Sequence, residues 1–350
     1  MNFLKKIILV VFLTFFIFFL TDLIVTNING YRGASKFYIK DNLVGFNNKP
    51  NFSGKFGGYL DSYSSKVSTG PLSERISFVN DCNSSKNIIF LGDSGTAGFE
   101  VNDNETFISQ INAKQCKFNG INFGVRGHNT HNILGNYKRI KNMINHDAVV
   151  YIIFPNDLSD NLALPSGANN LIKKFGNVFN EVYYPPKLSN LEKIYFNLRM
   201  TIADNFYATT KIIYSIENFK RFFRKKIKTK KINSKVIKIS EDEMKVMTNL
   251  IYKLSYETKN INKKLFIAGY PCLYNKKCKT LELENYLIKK SKEENLFTVI
   301  PLANNLYKKF SNESLNRSLM RFYNDPHLTK YGHMIVSKYL LNYLKNRLLS

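Results

Sequence analysis

Two short stretches far apart in the chain carry side chains that could act together. The first, Asn87–Phe99 (NIIFLGDSGTAGF), is an apolar run that breaks into Gly92-Asp93-Ser94 and a small-residue turn. A serine at the carboxyl end of an apolar strand stands where open α/β sheets present their ligands. Glycines at 92, 95 and 98 permit a tight turn and a close backbone approach to a substrate. The second, Phe322–His333 (FYNDPHLTKYGH), places His327 two residues after Asp325 and three after Asn324. Serine, histidine and a carboxylate are the parts of a nucleophilic acyl-transfer site. The hydroxyl attacks, the imidazole takes its proton, and the carboxylate orients the imidazole.

Such a site needs a scaffold that brings the two stretches together, and the hydrophobic pattern supplies one. Asn87–Leu91, Ile121–Phe123, Ala148–Phe154, Lys264–Ala268 and Phe297–Pro301 are short apolar runs without polar alternation. Helical patterns lie between them, beginning at Thr106–Ala113 and Asn132–Met143, and an amphipathic helix follows His333. Short, wholly apolar strands separated by helices predict a parallel sheet covered on both faces. The fold class is therefore a three-layer α/β/α sandwich with a doubly wound, mostly parallel five-stranded, flavodoxin-like sheet. Residues 86–350 form this domain, with an insertion at about 159–240 between the third and fourth strands. Residues 28–85, polar and rich in Gly and Tyr, are a membrane-proximal lead-in with one or two short strands.

The amino terminus sets the location. Lys5 and Lys6 precede Ile7–Val25, an apolar run interrupted only by Thr14, Thr21 and Asp22. As a helix this run would be roughly 28 Å long, near the thickness of a bilayer core. The two lysines favour a cytoplasmic start and an exported remainder. No small-x-small cleavage site follows Val25, so residues 1–27 read as a retained signal anchor rather than a cleaved signal peptide. The domain behind it is then expected outside the cytoplasm, in a periplasm.

The net charge is +25 over 350 residues, yet no helix-turn-helix, zinc or RNA-binding signature accompanies it, which argues against a nucleic-acid partner. Within the insertion, Lys220–Lys235 holds nine basic residues and no acidic one. Such a run could meet anionic lipid headgroups or an acidic polysaccharide, with Phe222 and Phe223 as shallow anchors, or form a solvated loop. Of the four cysteines, Cys82 with Cys116 and Cys272 with Cys278 are plausible bridges, but three pairings are possible. Their spacing gives no metal-binding pattern.

Four separated blocks in fixed order make the chain resemble the SGNH (GDSL-type) hydrolase family over roughly residues 86–345. They are Gly92-Asp93-Ser94, the Gly124 of NFGVRG, the Asn156 of Phe154-Pro155-Asn156-Asp157, and His327. The resemblance implies Ser94 as nucleophile and His327 as base. It also implies an oxyanion hole formed by the Ser94 and Gly124 N–H groups and the Asn156 side chain, with neither cofactor nor metal. Three departures stand out: Gly95 replaces the usual leucine, Phe154 replaces a glycine, and Asn324 occupies the slot of the family's acid. Asp325 is expected to serve in its place. Asp93 reads as a backbone acceptor, His128 and His131 as solvent-facing loop residues, His146 as a turn residue, and His333 as packing the final helix.

The expected activity is that of an extracytoplasmic esterase removing small acyl groups, acetyl foremost, from an acylated envelope glycan. Transfer of the acyl group to a cell-surface polysaccharide would use the same serine. A non-catalytic glycan-binding or envelope-assembly protein on this fold is the third reading.

Overall fold

The computed structural model describes residues 3–30, 34–57, 64–78, 86–163, 205–213, 238–271, 279–310, 319–322 and 325–348, with a few further positions between 191 and 216. Lys220–Lys235, Asn324, Cys82, Cys272 and Cys278 lie outside the described residues.

The main sheet has five strands: β5 (Asn87–Gly92), β6 (Asn119–Gly124), β7 (Ala148–Ile153), β8 (Lys264–Gly269) and β9 (Thr298–Ile300). They pair in the order β6-β5-β7-β8-β9, all parallel. This is the doubly wound arrangement expected from the sequence. The apolar runs follow from double coverage. Ile88, Phe90, Val150, Ile152, Phe266, Ala268 and Ile300 face one core, and Ile89, Leu91, Val149, Tyr151, Ile153, Leu265 and Ile267 face the other. Successive side chains alternate faces with period two, so a strand buried on both sides must be apolar throughout.

Helices complete each layer. The first core is closed by α3 (Phe107–Asn112), α8 (Leu302–Phe310) and α9 (Lys330–Leu348). The second is closed by α4 (Thr130–Ile140), α6 (Glu241–Lys259) and α7 (Lys279–Glu294). Their starts are encoded locally. Thr106 caps α3 through the Ser109 N–H. Asn129 with Asn132, and Ser240 with Glu243, form reciprocal capping boxes for α4 and α6.

The lead-in holds four short strands rather than one or two: β1 (Tyr38–Asp41) pairs with β2 (Gly45–Asn48), and β3 (Ser53–Gly57) with β4 (Ser64–Ser68). These hairpins are joined to the sheet. Phe37, Phe56 and Val67 pack against Ala97 and Phe99, just beyond the Ser94 turn. Arg75, fully buried, donates to the carbonyls of Ala97 (2.7 Å), Gly98 and Val101 (2.6 Å) and pairs with Asp103 at 3.2 Å. Its backbone N–H also reaches the Asn122 carbonyl of β6 at 2.8 Å.

Helix α1 (Phe3–Ile28) contains an 18-residue stretch of mean hydropathy 2.8 and is long and apolar enough to be a membrane anchor or a signal sequence. Near its carboxyl end the Asp22 side chain accepts from the N–H groups of Ala208 (2.9 Å) and Thr209 (2.8 Å) and from the Thr209 hydroxyl (2.7 Å). Phe19 packs edge-on against Phe206 at 5.8 Å. This end of α1 is thus tied to a later part of the chain. Cys116 is disulfide-bonded.

Substituting Arg75→Met removes a buried cation that four acceptors depend on. Breaking such a buried charge network costs about 3–5 kcal/mol. Chemical denaturation of the variant should show a midpoint lowered accordingly; an unchanged midpoint would show that Arg75 does not brace residues 97–103.

Candidate active site

The register of the sheet brings the strand ends to one level: Gly92 lies opposite Gly124 on one side and Ile152 on the other. Ser94 opens the short helix α2 (Ser94–Ala97) directly after β5. Gly124 ends β6, and Asn156 follows β7 immediately before α5 (Asp157–Ala163). A side chain at Gly124 would meet the Ala97 nitrogen at 2.2 Å, so this glycine lets β6 press against the helix that Ser94 opens.

His327 arrives from the segment before α9. The imidazole Nδ1 is 2.5 Å from Asp325 Oδ1, and the same carboxylate accepts the His327 backbone N–H at 2.8 Å. The turn at residues 325–327 therefore sets a carboxylate against the ring at two-residue spacing. With Nδ1 bound to a carboxylate, the neutral ring carries its proton there and Nε2 is left as the basic nitrogen. Nε2 is buried and has no hydrogen-bond partner. The ring stacks on Phe154 at 5.5 Å and 18°, and Phe154 packs on Tyr270 at 4.5 Å. Tyr270 in turn accepts the Leu328 N–H through its hydroxyl at 3.1 Å. Two aromatic rings thus hold the histidine segment over the carboxyl end of the sheet.

Those rings also account for the residue types at 95 and 154. A Cβ on Gly95 would lie 2.5 Å from Tyr270 and 2.7 Å from Phe154. The missing side chain after Ser94 is the space that Phe154 and Tyr270 fill. Gly95 and Phe154 are joined by one steric fit, and Phe154 in turn stacks on His327.

The remaining candidates are placed as follows. Ser94 is buried, and its hydroxyl donates to Asp93 Oδ2 at 3.2 Å rather than to His327. Asp93 also accepts the Gly95 N–H at 2.9 Å. The Gly124 N–H donates to Asn122 Oδ1 at 2.9 Å. The Asn156 amide donates to Asp160 Oδ2 at 2.6 Å, while its own Oδ1 is buried and unpartnered. An amide nitrogen has two N–H donors, so Asn156 can serve Asp160 and a second acceptor. The strand ends bring Ser94, Gly124 and Asn156 to one edge, but their polar groups are turned to partners within the protein. Catalytic hydrogen bonds in ligand-free sites often tighten only with substrate bound.

Electrostatics follow burial. Burial opposes charge on His327, but the Glu100 and Asp325 carboxylates outweigh it, so His327 titrates above the ordinary histidine range despite Arg126 nearby. Burial also acts on Asp325, yet its bond to His327 holds it below the usual carboxylate range. Asp93 and Asp157 are pushed upward by burial, and Asp157 further by the charge of Asp93. Asp157 accepts from the Phe154 N–H at 3.0 Å and the Tyr151 hydroxyl at 3.2 Å, which fixes the loop carrying Asn156.

The other histidines separate cleanly. His128 is fully buried, not solvent-facing, because its Nε2 bonds the Phe46 carbonyl at 2.8 Å beneath the lead-in; desolvation drives it down to about 4. His131 is partly buried, and burial and Lys253 lower its pKa. His146 sits before β7, bonded to Tyr137 and the Ile144 carbonyl. His333 is buried in α9, accepts the Phe107 N–H at 3.1 Å and stacks on that ring. Among the described residues no group of His, Cys, Asp and Glu could hold a metal ion. Sequence reasoning missed Glu100, Arg126 and Tyr270; only a lone acid between two apolar residues, Phe99 and Val101, pointed to the first.

No family profile matches the chain, and no curated protein does. Among solved structures it is similar to a G-D-S-L family lipolytic protein from Veillonella parvula, at 11% identity and TM-score 0.41, covering 74% of this chain and 97% of that one. A putative lipolytic protein of the same family from Desulfitobacterium hafniense gives 11% identity and TM-score 0.43, covering 74% and 99%. An acetyl-xylooligosaccharide esterase mutant from Geobacillus stearothermophilus gives 12% identity and TM-score 0.43, covering 75% and 95%.

The Gly95–Phe154 coupling is open to a double-mutant cycle. Gly95→Ala in the wild-type background should cost about 1–3 kcal/mol by overpacking. In a Phe154→Ala background Tyr270 can shift into the vacated volume, and the same substitution should cost measurably less. Equal costs in both backgrounds would mean that the two positions are independent.

Proposed function

We propose that this chain is a membrane-tethered serine esterase acting on small acyl esters outside the cytoplasm. The observation that carries the reading is the His327 arrangement. Nδ1 is clamped by Asp325 at 2.5 Å, Nε2 is buried without a partner, and the ring lies on Phe154, which abuts the Ser94–Gly95 turn.

In the proposed reaction the Ser94 hydroxyl leaves Asp93, turns to His327 Nε2 and attacks the ester carbonyl carbon. Nε2 takes the hydroxyl proton as the Oγ–carbon bond forms, and passes it to the leaving alcohol as the ester C–O bond breaks. Water then attacks the acyl-serine with His327 again as base, releasing the acid and restoring Ser94. The second Asn156 N–H and the backbone N–H groups of Ser94 and Gly124 would steady the oxyanion, the last after release from Asn122. Each such donor is typically worth about 10²–10³ in rate.

Several observations support the finer reading. Phe154 and Tyr270 pack directly against the nucleophile turn, which favours a small acyl group such as acetyl over a long chain. Asp22 ties α1 to residues 208 and 209, which favours a retained anchor over a removed signal. Lys5 and Lys6 before α1 and the disulfide at Cys116 favour export to an oxidising compartment. An acylated envelope glycan is the substrate class that this placement suggests, with the inner membrane holding α1. Lys220–Lys235 is proposed as a contact for anionic lipid or polysaccharide.

Ser94→Ala should lower hydrolysis of a chromogenic acetate ester by about 10⁴-fold or more while leaving the circular dichroism spectrum intact. Unchanged turnover would remove Ser94 from the reaction. The pH profile carries a second expectation. Only neutral His327 can act as base, and its folded pKa is raised above 6.5. kcat/KM should therefore rise with pH through a midpoint above about 6.5. A midpoint well below that value would contradict the environment described for His327.

A further inference from the structure

Asp325 is not the only acid beside the histidine. The Glu100 side chain is 1% exposed, and Glu100 Oε1 lies 3.6 Å from His327 Nδ1 and 3.6 Å from Arg126 Nη1. Neither carboxylate oxygen has a hydrogen-bond partner. A buried carboxylate without hydrogen bonds is costly unless positive charge lies close. Here the nearby cations are Arg126, whose side chain is 28% exposed, and the buried Arg75, and the third group able to become one is His327.

The position is also held. On one side of Glu100, Phe99 is buried among Phe37, Phe56 and Val67, and its carbonyl accepts the Ser65 hydroxyl. On the other, Arg75 grips the Val101 carbonyl at 2.6 Å, having already taken those of Ala97 and Gly98. The same bonds brace the short helix that Ser94 opens. Their effect is also to fix the backbone on both sides of Glu100 and aim its side chain at the catalytic edge.

We propose that Glu100 is a positioning residue of the esterase site, a second carboxylate that stabilises the imidazolium formed on His327 when Ser94 gives up its proton. This rests on the esterase reading above. The charge on His327 exists only after proton transfer, so an anion fixed beside Nδ1 favours that state over the resting one. The same anion makes neutral His327 scarcer at low pH. Loss of Glu100 should therefore have two opposite signatures: a lower plateau rate and better retention of activity in acid. The groups that face the imidazole are Asp325 on its own segment, Glu100 after α2, Arg126 after β6, Asp93 at the end of β5 and His333 on α9.

The test is the pH profile of kcat/KM for acetate-ester hydrolysis by the detergent-solubilised full chain. Glu100→Gln should lower the plateau by about tenfold and move the acid limb down by about one pH unit, since a charge this close shifts a pKa by about 1–3 units before Arg126 offsets it. Arg126→Gln, which removes the opposing cation, should move the limb the other way. This second variant keeps the proposal open to refutation should Glu100→Gln not fold. A Glu100→Gln limb coincident with wild type, or an Arg126→Gln limb that stays put or falls, would overturn the role of Glu100. The esterase reading would survive so long as wild-type hydrolysis still depended on Ser94. Wild-type hydrolysis independent of Ser94 would instead overturn the esterase reading itself.

Discussion

The bond between His327 Nδ1 and Asp325 Oδ1 is the constraint around which the rest of the site is arranged. At 2.5 Å it fixes the ring's orientation and leaves Nε2 as the basic nitrogen. Holding it demands a rigid segment before α9, and the chain provides several restraints. The Leu328 N–H is taken by Tyr270 and the Thr329 N–H by the Met320 carbonyl. Arg321 bridges Leu328, and Gly332 lies so close to the Met320 carbonyl that a Cβ would approach it at 2.1 Å. The sheet beneath contributes the other half by carrying β5, β6 and β7 to one level. A short hydrogen bond at a buried edge thus depends on the packing of elements from both ends of the domain.

The lead-in takes part in this arrangement. Its hairpins cover His128, and Arg75 bonds to the carbonyls that follow the Ser94 turn. Phe99, next to Glu100, is packed against this layer. On the proposed reading, a segment that resembles a spacer between membrane and enzyme completes the electrostatic surroundings of the base.

The five strands were legible because burial on both faces leaves little freedom in residue type. Ala148–Ile153 is buried at all six positions, and its sequence says so without help from context. The positions of Ser94, Gly124, Asn156 and His327 at strand ends and before the last helix were legible for the same reason. Side-chain partnerships across the fold were not. His128 reads as a loop residue because the Phe46 carbonyl that buries it lies 82 residues away. Gly95 and Phe154 read as two unrelated residues in the sequence, although a single steric fit joins them. Glu100 gave almost no signal, since its importance lies in a distance to His327 that no local pattern encodes. Asp325 could be named but not oriented, because the turn that aims it is closed by backbone bonds of Phe322 with Asp325 and His327 that no local pattern encodes.

The central claim is that Ser94 is a nucleophile served by His327, and covalent trapping tests it most directly. A fluorophosphonate probe transfers its phosphonyl group to an activated serine, and mass spectrometry of the digested protein locates the adduct. The account predicts one adduct, on Ser94, forming more slowly as the pH is lowered through the range where His327 becomes protonated and absent from a His327→Gln protein. A wild-type chain that folds but acquires no adduct on Ser94, or acquires it equally fast without His327, would contradict it.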